Sequence, residues 1–248
     1  MSTLTTHTTA SRDAHSVGLC KFNTTTRAIE VSDGTNWSIY DYDSGTVSSV
    51  TNNLSVDFDG ATDYIDFGNN TALMPSAFTI SFWMKQDDTG VNTVVQKSVG
   101  VSSSGYQVYF NNGDFLYAGD GVKTFASSLL TSTTDWYHVA VTHDGSSLKG
   151  YVDGSLIQTF SSTITSNTGN LTLGRHASGS GFYHHGKVDE FSLHSSALDA
   201  SNITQIYNNG SPLDLTINQG NYNGSSSLVG YWRLGDGTGD TDSGSGSP

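Results

Sequence analysis

At 248 residues, with 28 Gly against 3 Pro, the chain has room for one large domain plus extensions and carries the turn density of a β protein. A net charge of −13, with 10 scattered basic residues, leaves no Lys/Arg cluster of the kind that nucleic acid or an anionic membrane surface requires. Apolar residues make up 35% of the chain, so the core must rely on large side chains, which 12 Tyr, 11 Phe and 4 Trp provide.

Residues 1–16 (MSTLTTHTTASRDAHS) have no periodicity and almost no apolar content, and read as a flexible arm. They also lack the apolar run of a secretory signal, and a lone Cys20 rules out an internal disulfide, so assembly inside a cell is expected. No stretch is long and apolar enough to insert into a bilayer. Residues 17–43 alternate in three short runs, around Leu19 to Phe22, Ala28 to Val31 and Trp37 to Tyr40, with a turn at Asp33-Gly34. So small a β module buries too little to stand alone and must pack on a partner or on copies of itself. Residues 44–53 (SGTVSSVTNN) read as a linker.

The main domain spans 54–210. Val56 and Phe58 open it, and Phe78 to Met84 is a strongly apolar strand with Ile80 and Phe82 on one face and Trp83 on the other. Val91 to Val101, Tyr106 to Phe110 and Phe115 to Ala118 follow, with Asn112-Gly113 as a hairpin turn. The most informative stretch is Asp135 to Gly154 (DWYHVAVTHDGSSLKGYVDG). Tyr137, Val139 and Val141 share one face there, and Trp136, His138 and Ala140 the other, before two turns fold the chain into an antiparallel meander. Trp83 and Trp136 are read as core, Trp37 and Trp232 as packing at module junctions. Asp199 to Asn208 is a short helix, capped by Asp199 and carrying Ile203, Ile206 and Tyr207 at helical spacing. Residues 211–248 form a carboxy-terminal extension. Its strand 228–234 (LVGYWRL) would expose Val229, Tyr231 and Trp232 unless it completed the main domain.

Four motifs in order, VDFDGATDYIDFG with FTISFWMK, WYHVAVTHDGSSLKGYVDG, LTLGRH and GKVDEFSLHSSALDASNITQIYNNG, resemble the laminin-G-like jelly rolls of the concanavalin A-like lectin and glucanase superfamily, in the branch common in marine bacteria and their phages. The resemblance implies an all-β fold: a two-sheet antiparallel jelly-roll sandwich with a small N-terminal β module and one short C-terminal helix. Glycosidases of the superfamily use paired glutamates spaced on one strand. This chain has two in all, Glu30 and Glu190, in different modules, so no catalytic residue is assigned and an enzyme is not expected. The resemblance further implies one structural calcium ion, with Asp189 as side-chain ligand and the Asp59-Gly60 turn as carbonyl donor. Of the remaining loops, GSGFYHHG (179–186) is the candidate for glycan recognition, its glycines opening a tip that would display Phe182, Tyr183 and His184.

The N-terminal string GLxxFNTxTxxIEVxDGTxW is similar to a short module recurring in phage fibre proteins. It implies a bacteriophage virion protein, a tail fibre or capsid decoration on the virion surface, assembled in the host cytoplasm. Its partners would be other virion proteins through the N-terminal region, host-surface glycans, and copies of itself, a trimer being favoured. The alternative is a secreted or cell-surface carbohydrate-binding module or adhesin of a bacterium.

Overall fold

The computed structural model describes four backbone strands before residue 52, and residues 52–98, 104–176 and 181–236 with their side chains. The chain divides into two compact units, one over Met1–Ser48 with Gln219–Asn221, the other over Ser49–Asn218 with Tyr222–Pro248. In the first, β2 (Cys20–Asn23), β3 (Ala28–Ser32) and β4 (Trp37–Tyr40) pair antiparallel in sequence order. A further strand, β1 (Thr5–His7), pairs parallel with β2 inside the stretch read as an arm. Backbone pairing needs no apolar side chain, which is why hydrophobic periodicity gave no sign of it. The rest of the arm, the turn at Asp33-Gly34 and the linker up to residue 51 lie outside the described residues.

The second unit is a sandwich of two antiparallel sheets. One contains β14 (Ser155–Ser161), β13 (Ser147–Val152), β12 (Tyr137–His143), β7 (Phe78–Gln86), β16 (His185–His194) and β17 (Leu228–Trp232) in that spatial order, with β5 (Val56–Asp59) also paired to β16. The other runs β11 (Val122–Ala126), β10 (Asp114–Ala118), β9 (Tyr106–Asn111), β8 (Asn92–Lys97), β15 (Leu171–Leu173), β6 (Ile65–Asp66). Period-two alternation sends Phe78, Ile80, Phe82 and Met84 of β7 inward with Val139 and Val141 of β12, and they meet Tyr106, Val108, Phe110, Phe115 and Tyr117 of the facing sheet. Aromatic pairs bind the layers: Phe78 and Tyr106 lie 5.0 Å apart, Phe125 and Phe160 5.6 Å.

The helix α1 (Ala200–Tyr207) forms where its signals lie. Asp199 accepts a hydrogen bond from the Asn202 amide at 2.9 Å, and Asn208 ends the helix in a left-handed conformation (φ 45°). Ile203 and Ile206 are the buried stripe.

The arrangement that positions the site is the shared edge of β16. On one side β16 pairs with β7. On the other, β5 takes His185 to Val188, and β17 takes Phe191 to His194. Two strands from opposite ends of the unit thus occupy one slot end to end, leaving Asp189 and Glu190 at the gap. Gly186, near the start of β16, is bound to be glycine: its φ is 137°, and a Cβ there would lie 2.2 Å from the Lys85 carbonyl oxygen. Trp232 of β17 packs against the sandwich core, stacked 5.2 Å from Phe191 and tilted 4.5 Å from Phe67. Trp232→Ala should therefore cost about 2–4 kcal/mol in denaturant unfolding. A loss below about 0.5 kcal/mol would show that β17 does not hold the sheet together.

Candidate functional site

The outward face of the larger sheet carries Thr79, Ser81 and Trp83 from β7 and His138, Ala140 and Thr142 from β12, with His138 directly opposite Trp83. Most of this face is roofed. Tyr207 of α1 stacks 5.7 Å from Trp83 and lies 6.0 Å from His138, whose Nε2 hydrogen-bonds Ser81 Oγ at 2.8 Å. Further along, the Tyr222 hydroxyl and His194 Nε2 are 3.0 Å apart. Burial pushes His138 down to about 3 and His194 to about 4, so both imidazoles are neutral.

A bulge in β16 builds the remainder. Asp189 pairs with Trp83 and Ser192 with Ser81, so Glu190 and Phe191 share one partner position on β7. Glu190 takes φ 50°, a left-handed conformation that a non-glycine residue adopts at a cost. The extra residue returns Phe191 to the core and turns both carboxyls away from it. Glu190 is fully engaged: Arg233 Nε reaches Oε1 at 3.1 Å and the Tyr231 hydroxyl donates to Oε2. Asp236 joins the two end strands, its Oδ2 accepting from the amides of Asn53 and Leu54, each at 2.8 Å.

Asp189 faces a cavity of about 250 Å³ lined by Asn52 to Ser55, Trp83, Trp136, Gly210 and Pro212. Its residue is 3% exposed, and one carboxyl oxygen accepts from the Glu190 amide at 2.8 Å. Burial, reinforced by the Glu190 charge, pushes the Asp189 carboxyl up to about 8, against the pull of a hydrogen bond from the Asn52 side chain. Asn52 Oδ1 is itself buried and takes no hydrogen bond from the protein. Trp136, 39% exposed, supplies an open aromatic wall. The site is thus an aromatic-sided cleft with the Asp189 carboxyl, neutral at its raised pKa, at its floor. Its volume is a little under the about 300–1,000 Å³ of drug-sized sites, suited to one sugar-sized group.

The residues singled out from sequence fall in three places. Phe182 is exposed (50%, φ 58°) and its ring meets His176 edge-on at 5.5 Å, while Tyr183 is half-buried. His184 is not displayed. Its amide donates to Gly174 O at 2.9 Å and its carbonyl accepts from Gly60 N at 3.0 Å, which draws the ring inward to pack edge-on against Phe58 at 5.8 Å. It is fully buried, and desolvation lowers it to about 4.

The residues read as calcium ligands stand apart along β16: Asp59 and Gly60 lie against His185 and His184, and Asp189 lies at the gap. Asp59 faces His185, four residues along β16 from Asp189 and so about 13 Å away. Its carboxylate is already filled by the amides of Thr62, Ala61 and Asp63 at 2.7, 2.8 and 3.0 Å and by Thr62 Oγ1 at 2.9 Å. Those bonds hold it well below the usual carboxylate range, the Thr62 amide foremost. Among the described residues no group of three or more His, Cys, Asp or Glu is arranged to hold a metal ion. Sequence reading missed Trp136 as a site residue by assigning it to the core. The available signal was parity: it alternates with His138 on the face opposite Val139 and stands just outside the strand, where no roof reaches it.

The profile of one family, described as the Concanavalin A-like lectin/glucanases superfamily, matches residues 59–204. The chain belongs to that superfamily. Solved structures that resemble the chain are distant in sequence and share its fold. Domain 4 of AbnA, a GH43 extracellular arabinanase from Geobacillus stearothermophilus, in complex with arabinotriose, is 15% identical, with a TM-score of 0.52 over 66% of this chain and 82% of that one. The Ruminococcus gnavus IT-sialidase CBM40 bound to α2,3 sialyllactose is 13% identical, with a TM-score of 0.51 over 64% of this chain and all of that one. A Bacteroides ovatus protein proposed to bind carbohydrate is 19% identical, with a TM-score of 0.54 over 76% of this chain; the present chain spans about half (54%) of its length. No curated protein sequence matches the chain.

Proposed function

We propose that this chain is a non-enzymatic structural protein of a bacteriophage particle, a fibre or capsid-surface decoration, whose jelly roll binds host-surface glycans in the Trp83–Trp136 cleft. The observation that carries the binding half is the cleft itself, an exposed indole beside a buried carboxyl. Sugars present apolar ring faces that stack on aromatics and hydroxyls that pair with such groups. Binding is favoured over hydrolysis because glycosidases need two free carboxyls across the scissile bond. Here Asp189 faces the cleft while both oxygens of Glu190 are taken by Arg233 and Tyr231. Solved structures of the same fold in complex with arabinotriose and with sialyllactose are consistent with a sugar ligand.

The particle half rests on the N-terminal sequence, whose pattern resembles that of phage fibre modules. Mass spectrometry of purified particles tests it: the protein at fixed stoichiometry supports the assignment, and its absence from particles refutes it. The second reading is a secreted carbohydrate-binding module of a bacterium, in keeping with the bacterial enzymes to which the Geobacillus and Ruminococcus modules belong. A glycan array tests the binding shared by both. Trp136→Ala should weaken the best ligand by about tenfold or more, a loss of about 1.4 kcal/mol or more, with an unchanged melting temperature because the ring is exposed. Unaltered binding would place the site elsewhere.

A further inference from the structure

At the far end of the smaller sheet an arginine stands with its donors unspent. Arg175, two residues past β15, lays its guanidinium over the Tyr64 ring, 3.7 Å from the centroid. Its Nε is covered by protein, whereas the Nη nitrogens are neither buried nor hydrogen-bonded to any of the described residues. The side chain is thus held at its inner edge and open at its outer one. No carboxylate among the described residues lies within ion-pair reach of it. Asp59 is filled by the amides of its own turn, and Asp66 accepts from the Gly68 amide at 2.8 Å and from Asn170 Nδ2 at 2.9 Å. In a chain with 23 acidic residues to 10 basic ones, a half-buried arginine with no acid beside it is an exception.

Backbone pairing places two open rings next to it. Leu173 pairs with Ile65, and Gly174 accepts from the His184 amide at 2.9 Å, so the segments ending at Tyr64, starting at Gly174 and starting at Phe182 run side by side. Tyr64 is 43% exposed and Phe182 50%. Phe182 also holds φ 58°, a left-handed conformation kept at a cost, of the sort that gathers at binding sites. We propose that Tyr64, Arg175 and Phe182 form a second carbohydrate-contacting surface that takes a uronic acid, its carboxylate received by the Nη end of Arg175 and its ring supported by the two aromatic faces. A guanidinium has donors and no acceptor, so it selects a group that only accepts, and its planar fork matches the two oxygens of a carboxylate. Stacking on Tyr64 fixes that fork before the ligand arrives and lowers the ordering cost of binding. The surface adds a contact to the glycan-binding function above and does not depend on the Trp136 cleft.

The test is isothermal titration of the full chain at pH 7 with tetragalacturonic acid and with its fully methyl-esterified counterpart, which keeps the rings and loses the charge. The acid should bind about tenfold tighter or more, as a charge-assisted pair requires. Arg175→Lys, which keeps the charge and loses the fork, should remove most of that preference, and Trp136→Ala should leave it unchanged. Melting temperatures separate lost binding from lost fold. Should the lysine variant fold poorly, Tyr64→Ala, which removes only a half-open ring, is expected to weaken the acid by about tenfold. Equal affinity for acid and ester, no binding of the acid, or a preference that survives both Arg175→Lys and Tyr64→Ala overturns the assignment. A preference lost in Trp136→Ala instead puts the carboxylate in the cleft and overturns it too. The cleft is judged separately, by whether the glycans found on the array depend on Trp136.

Discussion

Acidification from pH 7 to pH 4 is expected to unfold the sandwich, with the melting temperature falling from about pH 6.5 downward, well above the range in which carboxylates protonate. Three buried imidazoles set this slope. His138 is lowered from 6.5 to about 3, and His184 and His194 each to about 4, all by desolvation. Between pH 6.5 and about 4 the unfolded chain binds a proton at each and the native chain does not, so each withdraws about 1.4 kcal/mol of stability per pH unit as pH falls. Asp189 works the other way: its folded carboxyl keeps its proton up to about 8 while the unfolded one ionises near 3.8, so it favours the native state as pH falls through the same window. Glu190, also raised by burial, works with Asp189, while His143 and His176, lowered by burial, work with the three imidazoles; at least one proton stays on the destabilising side, about 1.4 kcal/mol per pH unit, so two units consume about 3 kcal/mol or more, a large share of the 5–15 kcal/mol of a typical domain. Thermal melts at half-unit steps check this. A melting temperature flat between pH 6.5 and 4.5 would mean that the imidazoles are hydrated and the roof over the outer face is open.

Asp189→Asn is expected to stabilise the protein, and more so as pH rises. A folded pKa raised above its unfolded value contributes stability that is fully present below about 3.8 and lost as pH rises through about 8. At pH 7 the wild-type chain therefore forgoes about 4 kcal/mol relative to a permanently neutral side chain of the same shape, since each unit between 3.8 and 7 costs about 1.4 kcal/mol. The Asn amide can still accept from the Glu190 amide, as Asp189 does at 2.8 Å. A gain of about 1–4 kcal/mol at pH 7, shrinking towards zero at pH 4, is the expected pattern in urea unfolding. A buried acid that burdens the fold and lines a cleft is what a binding site looks like when selection favours the ligand over stability. If Asp189→Asn instead destabilises at every pH, Asp189 is an ionised structural residue and the cleft loses its argument for a function.

The two results separate. Acid sensitivity belongs to the roofed part of the outer face, where His138 and His194 lie under Tyr207 and Tyr222, and to His184 in the core. The alkaline-side gain belongs to the gap in the β16 edge. A protein that showed the first without the second would have the fold described here and no poised acid.

The strands and their turns could be read from local pattern because alternation and glycine corners act over a few residues. The meander from Tyr137 to Ser161 and the capped helix at Ala200–Tyr207 are such features. Parity along a strand also assigns side chains to faces, but it is silent on what covers each face. For that reason the exposure of Trp136 and the burial of His184 escaped the reading. Trp136 depends on which part of the outer face the rest of the fold leaves uncovered, and His184 on backbone bonds to Gly60 and Gly174, over a hundred residues and ten residues away in the chain. Long-range pairing built the cleft. Residues 52–55, the bulge at Asp189-Glu190 and the stretch Arg233 to Asp236 meet because β5 and β17 share one edge of β16, a contact between segments some 180 residues apart. Periodicity is a one-dimensional signal and can specify a ribbon; which two ribbons abut, and which carboxyl is stranded between them, is set by the energy of closing the sheet as a whole.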